Sequence, residues 1–316
     1  MSVKLTDPRI AIVGSGAVGC FYGGRLLHSG RDVHFLMRAD LKHVTLDGLR
    51  IESSAEGILD LPQINARGST EEIGPCDLVI IALKSTDNGV LEELIPPLLK
   101  EHTALLTLQN GLGNESFLAE RFGTERVIGG LCFVCLNRVS PGVVKHIAEG
   151  RVTVGEFAGL PLPRTHDIEL MLKHAGISCR VSDCLMRERW RKLVWNIPFN
   201  GLAIVSGEID TAAILADRSL RERACALMNE VIEIARCCGH ELPLSLVDEQ
   251  IRVTKGMGAY KPSSMLDYAK GKQVEVEAIW GEALSIGLTA GAGVERLEQL
   301  YEEICSAVCR RDCKSG

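Results

Sequence analysis

Short, unbroken apolar runs punctuate the first half of the chain: residues 10–13 (IAIV), 31–37 (RDVHFLM), 77–83 (DLVIIAL) and 103–108 (TALLTL). Continuous rather than alternating hydrophobicity predicts strands covered on both faces, as in a parallel sheet. Between the first two runs, Val18, Phe21, Tyr22, Arg25 and Leu26 fall at helical spacing, and Gly30 stands where a helix would be capped. Further strands are expected at 49–53 and 57–61, and a short helix at 90–99 interrupted by Pro96-Pro97. Such alternation implies right-handed crossovers and a doubly wound sheet, with ligands at the carboxyl ends of its strands.

From residue 126 to 157 the pattern turns β-rich. Stretches 127–134, 142–146 and 152–154, separated by Ser140-Pro141-Gly142 and Glu149-Gly150, predict an antiparallel hairpin appended to the sheet. Residues 176–182 (GISCRVS) read as a last strand. Beyond Asp183 the spacing becomes helical, over 185–199, 212–215, 220–238, 244–254, 274–288 and 294–309. The expected architecture is an α/β, Rossmann-type domain over 1–183, followed by an all-α domain over 184–316.

The first apolar run leads directly into Gly14-Ser15-Gly16-Ala17-Val18-Gly19 and then into the helix. A G-x-G-x-x-G triplet alone is weak, but strand and helix flank it here, which favours a dinucleotide site over an ordinary glycine-rich turn. In that reading Gly14 permits the tight turn, Gly16 lets the backbone approach a pyrophosphate, and Gly19 lets helix and strand pack closely. The free N–H groups of the helix start meet the phosphates. Arg38 follows the second strand, where an NAD enzyme would carry an acidic residue for the ribose 2′-hydroxyl. Its guanidinium suits a 2′-phosphate, so the expected cofactor is NADP(H). Asp40 is expected to do turn or cap chemistry instead.

Lys84 and Asn110 each follow a central strand, on the rim that carries the glycine loop. Turn chemistry and a cofactor or substrate role are about equally expected of them. In the second domain, Lys192, Asn196 and Asn200 fall at i, i+4 and i+8 and share one helix face. Pro198 predicts a kink near Val194. A solvated polar stripe would be ordinary, but Trp190, Trp195 and Phe199 mark this helix as mostly buried, where amides and ammonium groups need partners. Ser263 or Ser264 is placed to cap a following turn.

Composition narrows the class. The chain has 316 residues, 46% of them apolar and 24% charged, with a net charge of -6, an ordinary globular balance that gives no reason to expect nucleic-acid or membrane binding. No apolar run approaches a bilayer span, and residues 1–8 carry no signal-peptide pattern. Twelve cysteines are scattered. Cys132-x-x-Cys135 reads as buried thiols, and Cys305, Cys309 and Cys313 as one helix face without partners at metal spacing, so no metal site is expected. A reducing cytoplasm fits this usage.

Taken in order, these motifs resemble the ketopantoate reductase family along nearly the whole chain. They are GSGAVG, Arg38, Lys84, Gln109-Asn110-Gly111, Trp190-Arg191-Lys192 with Asn196 and Asn200, Pro262-Ser263-Ser264-Met265-Leu266, and Val274-Glu275-Val276-Glu277. The resemblance implies NADPH-dependent reduction of 2-dehydropantoate to (R)-pantoate, on the route to pantothenate and coenzyme A. It assigns the catalytic lysine to Lys192 and the active-site glutamate to Glu275. Substrate contacts fall on Asn110, Asn196, Asn200 and Ser264, and cofactor contacts on Gly14–Gly19, Arg38, Lys84 and Asn110. An ammonium group can stabilise and protonate the oxygen that becomes negative as hydride arrives. In the family the glutamate is commonly followed, two residues on, by Asp, where this chain has Glu277; Ala278 and Trp280 replace frequent Tyr and Asn. On an α-helix Glu275 and Glu277 would point about 200° apart, so only one is expected at the site. Two other readings stay open: the same fold acting on another 2-keto or 3-hydroxy acid, and a non-catalytic NADP(H) sensor. The helical domain offers surface for a homodimer.

Overall fold

The computed structural model describes residues 5–315. They form two compact units; the first runs to Leu185, except for Gly111–Gly113, which belong with the second.

The first unit holds β1 (Ile10–Val13), α1 (Ala17–His28), β2 (Val33–Leu36), α2 (Leu41–Asp47), β3 (Leu49–Ser53), β4 (Gly57–Leu61), β5 (Asn65–Arg67), α3 (Thr70–Ile73) and β6 (Leu78–Ile81). After these come α4 (Leu91–Leu94), β7 (Ala104–Thr107), α5 (Asn114–Phe122), β8 (Val127–Ser140), β9 (Val143–Glu156), α6 (Pro163–His174) and β10 (Cys179–Val181). The strands form one sheet in the order β4-β3-β9-β8-β7-β6-β1-β2-β5, with β10 beside β9. Its block β5-β2-β1-β6-β7-β8 is parallel throughout. Counted by their entry into that block, these strands stand third, second, first, fourth, fifth, sixth, the doubly wound order of dinucleotide folds. The order reverses between β1 and β6. The pairing continues one residue past β6 there, with the Ala82 N–H donating to the Val13 carbonyl at 2.8 Å.

Why β1, β2, β6 and β7 are almost wholly apolar, His34 and Thr107 excepted, follows from their two faces. Ile10, Ile12, Val33, Phe35, Leu78, Ile80 and Leu106 pack with Phe21, Tyr22 and Leu26 of α1 and with Ile168 and Leu172 of α6. The intervening residues Ala11, Val13, Leu36, Val79, Ile81 and Leu105 pack with Ile73, Leu91 and Leu118 on the other side. Each fully buried Ile, Leu or Val contributes about 1.5–3 kcal/mol to this arrangement.

Two local expectations change. Glu149-Gly150 is not a turn: β9 runs through it, and Val134 pairs with Glu149 while Phe133 pairs with Arg151. Gly150 is therefore an extra residue, and the positive φ of Glu149 (66°) and Gly150 (125°) builds a bulge. Residues 90–99 are interrupted at Pro96-Pro97 as expected, but the helix before them is only a single turn. A 3-10 turn (Ser85–Val90), the single turn α4 and another 3-10 turn (Pro96–Leu98) follow one another, because Pro96-Pro97 start a turn readily and cannot continue one.

The second unit consists of α7 (Leu185–Val205), α8 (Thr211–Ala216), α9 (Arg218–Cys237), α10 (Leu246–Met257), α11 (Ser263–Ala269), α12 (Glu282–Thr289) and α13 (Glu295–Ser315). Its core joins Leu193, Val194 and Ile197 of α7 to Met228 and Val231 of α9 and to Leu297, Leu300 and Ile304 of α13. Asp210 and Asp217 cap α8 and α9, each accepting a backbone N–H at 2.9 Å. Helix α7 continues across Pro198 to Val205. The helix expected from residue 274 opens instead with a π turn, Glu277–Gly281, ahead of α12.

Candidate active site

In the first unit the candidate residues all lie at carboxyl ends of parallel strands. Gly14 follows β1 with φ +102°, and a Cβ there would come within 2.3 Å of the Leu83 nitrogen, so the reversal point of the sheet leaves no room for a side chain. A Cβ at Gly19 would lie 2.2 Å from the Gly14 carbonyl oxygen, which fixes glycine where α1 crosses its own strand. Gly16 differs: a Cβ there would meet nothing within 4 Å. Among the described residues no atom demands glycine at that position, and open space there is what a close-lying phosphate needs.

The loop between them is held rigidly. Ser15 donates its hydroxyl to the Leu36 carbonyl at 2.7 Å, tying the turn to the end of β2. Helix α1 begins at Gly16 with no side-chain cap and no acidic residue in its first turn, so no carboxylate competes for its N-terminal dipole. Ala17 and Val18 occupy that turn and pack partly against the core. Burial pushes the Cys20 thiol up to about 12, against a smaller downward pull from Arg138, so it adds no negative charge beneath the turn.

Arg38 is exposed two residues beyond β2. Asp40, the one carboxylate within two residues of it, pairs with Arg138 and accepts the Gly142 N–H at 3.3 Å. It occupies the N-terminal boundary of α2 without capping it by its side chain, so the expected cap chemistry is replaced by this bond to the β8–β9 hairpin.

Lys84 and Asn110 follow β6 and β7, three residues beyond each strand end. A chain of amides links these two loops. Thr107 donates to the Gln109 carbonyl oxygen at 2.9 Å, and the Gln109 amide donates to Asn88 at 2.7 Å. Asn88 donates to Asn114 at 3.0 Å, and Asn114 donates to the Asn110 backbone carbonyl at 2.9 Å. Gln109 and Asn114 are buried, so the chain fixes the Asn110 backbone with bonds that water cannot replace. Sequence reading missed Asn88 and Asn114; the adjacency of Gln109 to Asn110 was the one signal available.

In the second unit, Lys192, Trp195 and Asn196 form a partly exposed patch on one turn of α7, bordered by buried Leu193, Val194 and Ile197. Asn200 lies one turn further, 1% exposed. Its carbonyl oxygen accepts the Ser264 N–H at 2.9 Å, and its amide donates to the Asn196 carbonyl at 3.0 Å. Asn200 thus fastens the start of α11 to α7 and brings Ser264, itself buried, against the helix. Trp280 of the π turn donates its indole N–H to the Ile197 carbonyl at 3.0 Å, joining the segment after Glu275 to the same helix. The two glutamates have separate surroundings. Glu277 is exposed and accepts the Tyr301 hydroxyl of α13 at 2.7 Å, a bond that holds the Tyr301 phenol well above its ordinary value. Glu275 is partly buried and precedes the π turn. Gly111, with φ +82°, is required because a Cβ would come 2.2 Å from the Ala278 carbonyl oxygen, which accepts the Leu112 N–H at 2.8 Å.

Comparison with known proteins fits this arrangement. Residues 10–159 match the family described as ketopantoate reductase PanE/ApbA, and residues 184–306 match its C-terminal region. The chain belongs to the ketopantoate reductase family. A 2-dehydropantoate 2-reductase of Nostoc sp. is 38% identical over 306 residues, 95% of each chain. The crystal structure of a 2-dehydropantoate 2-reductase from Geobacter metallireducens superposes with a TM-score of 0.92 at 44% identity, covering 95% of this chain and 99% of that one. One from Methylococcus capsulatus superposes at 0.89 with 29% identity, covering 96% and 97%. Ketopantoate reductases are oxidoreductases, and the Rossmann-type sheet with a helical C-terminal region is their fold. No helix among the described residues is long and apolar enough to cross a membrane.

Proposed function

We propose that this protein catalyses the NADPH-dependent reduction of 2-dehydropantoate to (R)-pantoate. The observation that carries the reading is likeness over nearly the full length, at 38% identity, to a relative that bears this activity in its name. The cofactor reading rests on the first unit. Gly16 leaves open space at the start of α1, α1 has no side-chain cap there, and Arg38 offers a guanidinium while Asp40 is committed to Arg138. Those features fit a dinucleotide carrying a 2′-phosphate. When bound, the reduced nicotinamide supplies the hydride.

The residues of this chain supply the rest. Lys192 stabilises the negative charge that develops on the carbonyl oxygen and delivers the proton. Asn196 and Asn110 hydrogen-bond the substrate, and Ser264, docked by Asn200, takes part in holding its carboxylate. Glu275 orients the lysine and the substrate hydroxyl; Glu277 is engaged by Tyr301. Lys84 and Asn110 line the cofactor rim beyond β6 and β7.

The deciding experiment is a steady-state assay of purified protein with NADPH against a panel of 2-oxo acids. The highest kcat/KM is expected for 2-dehydropantoate. Rapid turnover of another acid beside negligible turnover of 2-dehydropantoate would reassign the substrate, and NADPH binding without turnover of any acid would leave a sensor.

A further inference from the structure

The partly exposed patch on α7 contains one residue that neither the lysine nor the amide chemistry accounts for. Trp195 stands three residues from Lys192 and adjoins Asn196, so all three fall within one arc of about 100° on the helix. Its ring is locked from several sides. It stacks on Phe199 with centroids 5.1 Å apart and planes at 29°, and it lies 6.1 Å from the Tyr260 ring. The indole N–H donates to the Thr254 hydroxyl at 2.8 Å, and Thr254 passes its own proton to the Gln250 carbonyl at 2.7 Å. The polar handle of this tryptophan is therefore used up against α10. What the side chain still exposes is carbon, held in a fixed orientation on the helix arc that also carries Lys192 and Asn196.

We infer that Trp195 is a specificity-determining residue: its rigid apolar face receives the methyl groups at C3 of the 2-oxo acid and selects acids branched at that carbon. This rests on the reductase reading above and names the residue that enforces it on the C3 side of the acid. A face without a donor disfavours a polar substituent, which would lose its water there without a replacement bond. A branched hydrocarbon group buries area against the ring and needs no partner. The other two tryptophans, Trp190 (1% exposed) and Trp280 (0%), are enclosed, whereas Trp195 packs on the same core and keeps part of its surface open.

The same contrast supplies a probe, since Trp195 is the one partly exposed member of the three tryptophans and its emission should respond to a ligand in contact. Wild type, Trp195→Phe and Trp195→Ala would be assayed with NADPH against 2-dehydropantoate, 2-oxoisovalerate and 2-oxobutyrate. In Trp195→Ala the ratio of kcat/KM for 2-dehydropantoate over 2-oxobutyrate should fall tenfold or more, with Trp195→Phe recovering most of it. An equal loss for all three acids would mean a purely structural tryptophan and overturn the inference. Separately, titrating 2-oxoisovalerate into wild-type protein with NADP+ should change tryptophan emission, and Trp195→Phe should abolish that change. If wild type reduces none of the acids, the activity reading fails and emission decides alone: no response to the branched acid, or one retained in Trp195→Phe, overturns the inference, and a response lost in Trp195→Phe upholds it.

Discussion

The two units offer their chemistry in opposite ways. In the proposed site, the groups at the end of β1 are backbone: a turn in which Gly14 and Gly19 are fixed by atoms a few residues or one strand away, and a helix start without a side-chain cap. On and around α7 the proposed groups are side chains, and what they can do depends on helices far off in sequence. Thr254 orients Trp195, Asn200 docks Ser264, and Tyr301 takes Glu277. A backbone site tolerates changes around it but few within it. A side-chain site divides its residues into those that meet the substrate and those that hold the others in place.

Substitutions can test that contrast. The largest effect is expected at Lys192. Lys192→Ala should lower kcat by about 10²–10⁴-fold, the range for loss of a general acid, while NADPH affinity measured by titration stays within about twofold. An unaltered kcat would remove Lys192 as the proton donor. At the turn, Gly19→Ala should lower the unfolding midpoint and weaken NADPH together, because its Cβ collides with the Gly14 carbonyl. Gly16→Ala should leave stability within about 1 kcal/mol, since its backbone suits alanine and its Cβ meets open space, yet weaken NADPH tenfold or more. Equal stability losses in the two variants would erase the distinction between a glycine kept for the fold and one kept for a ligand.

Arg38→Asp is expected to cost about 10–100-fold in NADPH affinity, the value of one or two charge-assisted hydrogen bonds, and little in NADH affinity. Parallel losses for both cofactors would count against a 2′-phosphate contact. The smallest effects should separate the two asparagines of α7. Asn200→Ala should destabilise by about 1–3 kcal/mol in chemical denaturation, because it orphans the buried Ser264 N–H. Asn196→Ala should change stability far less and raise KM instead. A pair with matching profiles would mean that α7 does not divide its labour this way.

How much was legible in advance follows the same line. Strand positions, the glycine turn and the change to helices near residue 183 were readable because period and local sterics encode them. The Glu149-Gly150 bulge was misread as a turn: positive-φ residues serve both purposes, and the unbroken pairing of β8 with β9 decides between them. The amide chain through Asn88, Gln109 and Asn114 was invisible because its members sit in separate loops that β6 and β7 bring side by side. The two-residue spacing of Glu275 and Glu277 suggested opposite faces of an α-helix, but a π turn begins at Glu277, where that geometry no longer applies.

By itself the sequence determined the doubly wound sheet, the dinucleotide turn and the order of family motifs, because apolar period, glycine sterics and residue identity act over short stretches of chain. Tertiary structure alone decided which polar groups are already spent. Asp40 on Arg138, Asn200 on Ser264, Glu277 on Tyr301 and the Trp195 indole on Thr254 are bonds between segments that only folding brings within 3 Å or so of one another. A side chain's chemistry is written in its identity, but its availability depends on its neighbours, and those are set by the packing of the whole chain.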